Sequence, residues 1–283
     1  MIYVSTGGEK KQPAWKTSSN LINHGISCIE LSGGLYDEDM LAKLKGLRSI
    51  AKFQVHNYFP PPKKPFVINL ASLDKEILAL SMELVRKAIR WSVELDRPIY
   101  SFHSGFLVDL KVKELGTTPK KRKINNQRNT ISSFIENINQ LAKYAEKHGV
   151  SLLIENNVLT PNAFKKFNCN SVLMADADDC LEVMKNTPDN VGLLIDVAHL
   201  KVSSNVLKFD KINFLNKCDS WIKGYHLSDN DGTRDSNEVI NDSAWFWPFL
   251  KKKLGYYSLE VYNVDYKILN QQQIKVYKKI NEQ

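Results

Sequence analysis

The sequence predicts an α/β fold in which eight parallel strands close into one barrel surrounded by helices. Eight short apolar runs, rich in β-branched residues, recur along the chain, and most are continuous, as expected of strands covered on both faces. Segments with helical spacing separate these runs, which is the alternation typical of a parallel α/β sheet. Because α/β barrels reach the length of 283 residues as one domain, we expect residues 1–283 to form a single (β/α)8 domain. A doubly wound open sheet is the alternative.

The predicted strands are residues 2–5, 27–31, 51–56, 98–103, 150–156, 191–196, 221–227 and 256–262. The predicted helices are residues 36–48, 72–95, 129–149, 176–186, 239–254 and 268–281. The helix over 72–95 opens on a Ser/Asp cap and keeps apolar residues at steps of three and four. The helix over 129–149 ends in a Lys-His-Gly stop. We expect loops at the proline-rich NYFPPPKKPF (57–66) and the basic LGTTPKKRKINN (115–126).

Composition restricts the class of protein. The four cysteines are scattered without a CxxC motif, which indicates reduced thiols. No apolar run approaches the roughly 18 residues that a membrane helix needs, and the first residues lack the apolar stretch of a signal peptide. We therefore expect a cytoplasmic protein without a membrane partner. The net charge of +8 is spread over many single lysines and does not decide the function.

Acidic and histidine residues fall at the ends of the predicted strands. In such a barrel the active site lies at the C-terminal ends of the strands, where the following loops converge. Seven strands end on or near one of these residues: Glu30, His56, His103, Glu155, Asp196, His226 and Glu260. His199 follows Asp196 by three residues. A buried carboxylate or imidazole is costly unless it is paired or bound to metal. Because seven strands end on or near such a residue, the sequence predicts a divalent cation at the barrel mouth as their common partner.

Some of these residues also have a structural interpretation. Any single one could form a salt bridge, and for Glu30 the sequence leaves open whether it lines the site or forms a structural pair. His24 and His148 lie near helix ends, where an imidazole interacts favourably with the helix dipole. We interpret both as structural.

The ordered motifs resemble those of the xylose isomerase-like superfamily of TIM barrels, which includes sugar isomerases, keto-sugar epimerases and type IV apurinic endonucleases. The resemblance covers nearly the whole chain and rests on IELSGG, QVHNYFPPP, SFHSGF, LLIENN, LLIDVAHLK, GYHLSDNDGTRD and YSLEVY. In the epimerase branch Glu, Asp, His and Glu from strands five to eight hold the metal. The matching residues are Glu155, Asp196, His226 and Glu260. This ligand set suits Mn²⁺ or Mg²⁺, with Co²⁺ or Zn²⁺ as alternatives.

The resemblance implies a metal-dependent isomerase or epimerase of a sugar, sugar phosphate or keto-sugar, working through an enediolate that the cation stabilises. Glu155 and Glu260 would act as acid and base on opposite faces of the sugar. His56, His103 and His199 would contact the substrate, Glu30 would line the site, and Arg234 would bind an anionic group. Tyr58, Phe59, Phe106 and Tyr262 could form apolar walls. The partner would be a small sugar rather than nucleic acid, and a homo-oligomer is compatible with the family.

Two other functions stay open. The endonuclease branch binds three zinc ions, and its pattern matches His56, His103, Glu155, Asp196, His199, His226, Asp235 and Glu260. It also requires a histidine where this chain has Asn237, and asparagine is a poor zinc ligand. A phosphodiester hydrolase acting on abasic DNA is therefore the alternative to the isomerase. A barrel that only binds a ligand is the third hypothesis, and the complete metal quartet argues against it.

Overall fold

The computed structural model describes residues 1–115, 117 and 119–281 and shows a closed barrel of eight parallel strands. The strands are β1 (Ile2–Ser5), β2 (Cys28–Leu31), β3 (Lys52–His56), β4 (Ile99–His103), β5 (Ser151–Glu155), β6 (Val191–Asp196), β7 (Ile222–Leu227) and β8 (Tyr257–Leu259). Each strand pairs with the next, and β1 pairs with β8 to close the barrel. The predicted strands and barrel are thus confirmed, and the doubly wound sheet is excluded.

Helices surround the barrel. They are α1 (Ala14–Asn23), α2 (Met40–Gly46), α3 (Lys75–Glu94), α4 (Gln127–Glu146), α5 (Pro161–Phe167), α6 (Ala177–Lys185), α7 (Val197–Leu207), α8 (Lys211–Cys218) and α9 (Tyr266–Asn281). Five of the six predicted helices are confirmed with shifted ends, as α2, α3, α4, α6 and α9. The Asp74 side chain caps α3 by accepting from the backbone N–H groups of Glu76 and Ile77.

The helix predicted over 239–254 is wrong. In the structure this segment is irregular, with one 3-10 turn at Trp247–Phe249. Pro248 removes a backbone donor, and the backbone N–H of Ile240 donates to Gln272 on α9 instead of to a helical carbonyl. Ile240, Ala244 and Phe246 are buried. The chain between them turns repeatedly instead of forming a helix.

The two predicted loops contain neither helix nor strand where they are described. Residues 57–66 run irregularly after β3. The same holds for 115, 117 and 119–126, whereas Gly116 and Thr118 lie outside the described residues. No helix in the described part of the chain is long and apolar enough to cross a membrane. The four cysteines are unpaired.

A small apolar cluster fills the interior of the barrel below its mouth. Tyr3, Leu153, Leu194 and Tyr256 form this cluster separately from the main core between strands and helices. Leu153 and Leu194 lie two residues before Glu155 and Asp196 on the same strands, so these side chains share the inner face. The acids therefore lie above this apolar cluster, toward the mouth of the barrel.

Candidate active site and metal centre

The barrel brings the four predicted metal ligands together. Glu155 and Asp196 are the last residues of β5 and β6, His226 pairs in register with Asp196, and Glu260 directly follows β8. All four are buried. Each offers one ligand atom, and these atoms lie within 4.8 Å of one another. The arrangement could hold one metal ion.

Glu155 lies at the centre of this cluster. Its Oε1 is 3.4 Å from His226 Nδ1 and 3.3 Å from His199 Nδ1. Its Oε2 is 3.4 Å from His56 Nε2 and 3.6 Å from His103 Nε2. The four histidines predicted as ligand or substrate contacts therefore surround one carboxylate.

Several of the converging atoms have no hydrogen-bond partner among the described residues. They are both carboxylate oxygens of Glu155, Oδ2 of Asp196 and Nδ1 of His226. A buried polar atom without a partner costs about 1–3 kcal/mol, so four in one cluster need a common explanation. A divalent cation would satisfy carboxylate oxygens and an imidazole nitrogen together. The residues present thus fit a metal ion.

The amide side chain of Asn156 holds Asp196 in place. Asn156 Oδ1 accepts from the backbone N–H of Asp196 at 2.8 Å, and its Nδ2 donates to the Asp196 carbonyl at 3.1 Å. The Asp196 Oδ1 accepts from the backbone N–H of His199 at 2.7 Å and so caps α7. One carboxylate oxygen is used by the helix cap, and Oδ2 is left for the cluster.

Burial and charge set the protonation of the acids. Burial, together with neighbouring carboxylates, raises the pKa of Glu260 to about 8 and the pKa of Asp196 to about 6. Burial also opposes ionisation of Glu155, but the charges of His103 and His226 outweigh it and lower the pKa of Glu155 well below its usual value. Of these three metal-ligand candidates, Glu155 is therefore the one that stays ionised most readily.

The histidines fall into two groups. Burial alone would lower the pKa of His226, but Glu30, Glu155 and Glu260 raise it well above its ordinary value. The pKa of His199 is raised in the same way, against burial, chiefly by Asp196 and Asp235. Burial instead lowers the pKa of His56 to about 3, so His56 is neutral at pH 7.

The predicted substrate-binding residues occupy different depths. The His103 side chain is 27% exposed, whereas His56 and His199 are buried. Arg234 is exposed and lines a cavity of about 510 Å³ beside the mouth together with Tyr262. Glu30 is completely buried on β2, where its Oε2 is 2.9 Å from His226 Nε2. His103 and Arg234 are thus the members of this set that solvent reaches most easily.

Two of the predicted apolar walls have other contacts. The Tyr262 hydroxyl donates to Glu260 Oε1 at 3.0 Å, so this tyrosine makes a polar contact to a predicted catalytic residue. A Cβ at Gly7 would collide with that hydroxyl, so the loop after β1 can approach Tyr262 only with glycine there. Phe59 is buried and packs against Trp91 of α3, which places it in the core.

Three residues near the site were not predicted as site residues of the isomerase or epimerase. Asp235 Oδ2 lies 3.3 Å from His199 Nε2, although the sequence associated Asp235 only with the endonuclease pattern. Tyr256 and Ser101 are buried and hydrogen bonded to each other at 2.8 Å. Both lie inside predicted strands, and no local pattern marks them as polar contacts of the site.

Comparison with known proteins agrees with the barrel. A family described as "Xylose isomerase-like TIM barrel" matches residues 20–278. Uncharacterized protein MJ1311 of Methanocaldococcus jannaschii is 26% identical over 176 residues, which are 62% of this chain and 52% of that protein. The match therefore spans about half the length of this relative.

Solved structures share the fold at low sequence identity. A D-tagatose 3-epimerase-like protein superimposes with a TM-score of 0.74 at 19% identity, over 98% of this chain and 96% of its own. The TTHB071 protein of Thermus thermophilus, soaked with ZnCl2, gives a TM-score of 0.62 at 19% identity over 98% of both chains. At these identities the likeness establishes the fold.

Proposed function

The chain belongs to the xylose isomerase-like TIM barrel family, and we propose that it is a divalent-metal-dependent isomerase or epimerase of a sugar or sugar derivative. One observation carries the proposal: buried ligand atoms of Glu155, Asp196 and His226 that have no described hydrogen-bond partner converge with Glu260 at the barrel mouth. Mn²⁺ or Mg²⁺ suits this oxygen-rich set, with Co²⁺ or Zn²⁺ as alternatives. The D-tagatose 3-epimerase-like neighbour supports the same chemistry.

Glu155 and Glu260 carry the proton transfer. When bound, the cation acts as a Lewis acid that makes the carbon beside a sugar carbonyl more acidic. Glu155 Oε1 lies 3.4 Å from His226 Nδ1, and Glu260 Oε2 lies 3.7 Å from the same nitrogen. One removes the proton and the other returns one to the opposite face, which inverts the carbon or moves the carbonyl. Tyr262 fixes one oxygen of Glu260 and leaves Oε2 toward the cluster.

Metal content and proton exchange test this function together. Protein purified without chelator should contain about one divalent ion per chain, because the quartet Glu155, Asp196, His226 and Glu260 provides one complete ligand set. Incubation with a panel of keto-sugars in D2O should place solvent deuterium on the carbon that is deprotonated, measured by proton NMR. Absence of bound metal together with absence of exchange on every sugar would contradict the proposal.

A phosphodiester hydrolase acting on abasic DNA is the second candidate. It is favoured by a further group of converging ligand atoms, from His56, His103 and Glu155, which could hold another ion. Asn237 counts against it, since the endonuclease pattern has a histidine at this position and asparagine is a poor zinc ligand. Nearly three zinc ions per chain and cleavage of an abasic duplex would favour the hydrolase over the isomerase.

Arg234 should distinguish phosphorylated from neutral sugars. No ion pair of Arg234 occurs within the described part of the chain, and the side chain lines the cavity beside Tyr262. A charge-assisted hydrogen bond is worth about 1.5–3 kcal/mol, so Arg234→Ala should raise KM for a ketose phosphate roughly 10- to 100-fold. The KM for the neutral ketose should stay unchanged. Arg128→Ala, at an exposed position of α4, is the matched control. An unchanged KM for the ketose phosphate in Arg234→Ala would remove Arg234 from the substrate site.

A further inference from the structure

A chain of hydrogen bonds runs beneath the proposed metal site and ends on Glu30. Glu30 Oε2 is 2.9 Å from His226 Nε2 and 2.5 Å from the Tyr256 hydroxyl. The Tyr256 hydroxyl is 2.8 Å from Ser101 Oγ, which is 3.0 Å from His56 Nδ1. All five side chains are buried. The chain thus connects β2, β3, β4 and β7 with the residue that precedes β8.

The chemistry of the donors gives every bond in this chain one direction. An oxygen of a carboxylate accepts, so His226 Nε2 and the Tyr256 hydroxyl both donate to Glu30 Oε2. Tyr256 has then used its only proton and must accept from the Ser101 hydroxyl. Ser101 in turn accepts from His56 Nδ1–H. The protons of the whole chain point toward Glu30.

The direction of the chain determines which nitrogen of each imidazole faces the cluster without a proton. When His226 is neutral its proton lies on Nε2, and its Nδ1 then offers a lone pair 3.4 Å from Glu155 Oε1 and 3.7 Å from Glu260 Oε2. With the proton of neutral His56 on Nδ1, its Nε2 offers a lone pair 3.4 Å from Glu155 Oε2. Only a deprotonated nitrogen can ligate a metal or accept a hydrogen bond from a substrate.

We propose that Glu30 is a positioning residue. It fixes the tautomer of His226 directly and that of His56 through Tyr256 and Ser101, so that both imidazoles present lone pairs to the metal and substrate. This role replaces the site lining predicted for Glu30 and rests on the proposed metal site. Glu30 also belongs to a group of converging ligand atoms with His56, His226 and Glu260. Its Oε2 already accepts hydrogen bonds from the His226 imidazole and the Tyr256 hydroxyl.

Nitrogen NMR on the zinc-loaded protein tests the tautomers directly. With ¹⁵N-labelled histidine, His226 should carry its proton on Nε2 and His56 on Nδ1. Tyr256→Phe removes the link between Ser101 and Glu30, so His56 should populate both tautomers while His226 remains unchanged. His148, whose Nδ1 bonds the Tyr144 carbonyl on α4, is the internal control. A proton on His56 Nε2 in the wild-type protein, or identical His56 signals in Tyr256→Phe, would overturn the proposal.

Metal affinity tests the charge of Glu30. Glu30→Gln keeps an acceptor for both donors but removes the charge, and loss of such a partner of a metal-bound histidine typically costs about 10- to 100-fold in affinity. We expect that loss for Zn²⁺ measured by competition with a chelator, and a smaller loss in Tyr256→Phe. Unchanged affinity in a folded Glu30→Gln protein would overturn the role of Glu30.

The outcomes separate this proposal from the proposed function. If the wild-type protein binds no divalent ion, the proposed function fails, and the His56 tautomer in the metal-free protein still tests the direction of the chain. If metal and turnover are present while the tautomers differ from those expected, the isomerase stands and the positioning role is wrong. Circular dichroism and thermal unfolding establish that each variant is folded, and Tyr256→Phe keeps the volume of the buried ring.

Discussion

Glu155→Gln is expected to abolish turnover and to weaken metal binding while the barrel stays folded. Glu155 is the carboxylate on which the imidazoles of His56, His103, His199 and His226 converge, and neither of its oxygens has a described hydrogen-bond partner. A glutamine replaces one oxygen by an amide donor, which cannot ligate a cation or accept a proton. Loss of an acid or base alone costs about 10²–10⁴-fold, and the weaker metal binding adds to this.

The fold should tolerate this change because glutamine has nearly the same shape. Replacing Glu155 also removes the ion pairs of this buried carboxylate with His56, His103, His199 and His226, so the free energy of unfolding should fall although the barrel stays folded. Turnover in D2O, metal affinity and thermal unfolding of the variant should be compared with those of His148→Gln. His148 lies just beyond α4 and bonds the Tyr144 carbonyl, so its replacement should leave activity near wild type. Full activity of Glu155→Gln would end its assignment as acid or base.

The sequence could predict the site because the fold brings the strand ends together by a simple rule. The strands have continuous apolar runs, and each of Glu155, Asp196 and His226 lies at the end of such a run. In a parallel barrel these ends meet at one mouth regardless of the loops between them. The quartet therefore follows from local patterns and from the resemblance they carry.

The hydrogen-bond chain beneath the site could not be predicted in this way. Glu30 and Tyr256 are 226 residues apart in the chain, and their contact depends on closure of the barrel between β1 and β8. No spacing in the sequence shows which side chains a closed interior will bring together. For the same reason Tyr262 looked like an apolar wall, although it donates to Glu260.

The helix α7 (Val197–Leu207) was not among the predicted helices, because the apolar pattern of β6 continues into it. The helix α7 begins at Val197, directly after the last residue of β6, and both elements are apolar. The change from strand to helix is made by the Asp196 side chain, which accepts from the His199 N–H. The sequence marked Asp196 as a metal ligand and did not mark its second role as a helix cap.

Glu260→Gln is expected to reduce kcat by about 10²–10⁴-fold, the usual contribution of a general acid or base. It should also change how metal binding depends on pH. Burial, reinforced by Glu155 and Glu30, raises the pKa of Glu260 to about 8, so the carboxyl keeps its proton in neutral solution. A cation that binds Oε2 must displace this proton, because a ligating carboxylate is ionised.

The sign of the pH effect follows from this displacement. In the wild-type protein the apparent metal affinity should rise as the pH increases toward about 8 and then rise less steeply. In Glu260→Gln the affinity should be lower and its dependence on pH weaker, since one displaced proton is missing. Glu260 also helps to raise the pKa of His226, so His226 should lose its proton at a lower pH in Glu260→Gln, and both changes reduce the number of protons that the metal displaces.

Calorimetry in buffers of different ionisation enthalpy counts the protons released when the metal binds. Tyr262→Phe is the matched control, because it removes the hydrogen bond to Oε1 and leaves Oε2 beside His226 Nδ1. This control should release as many protons as the wild type. If Glu260→Gln released the same number of protons as the wild type, Glu260 would not be a ligand.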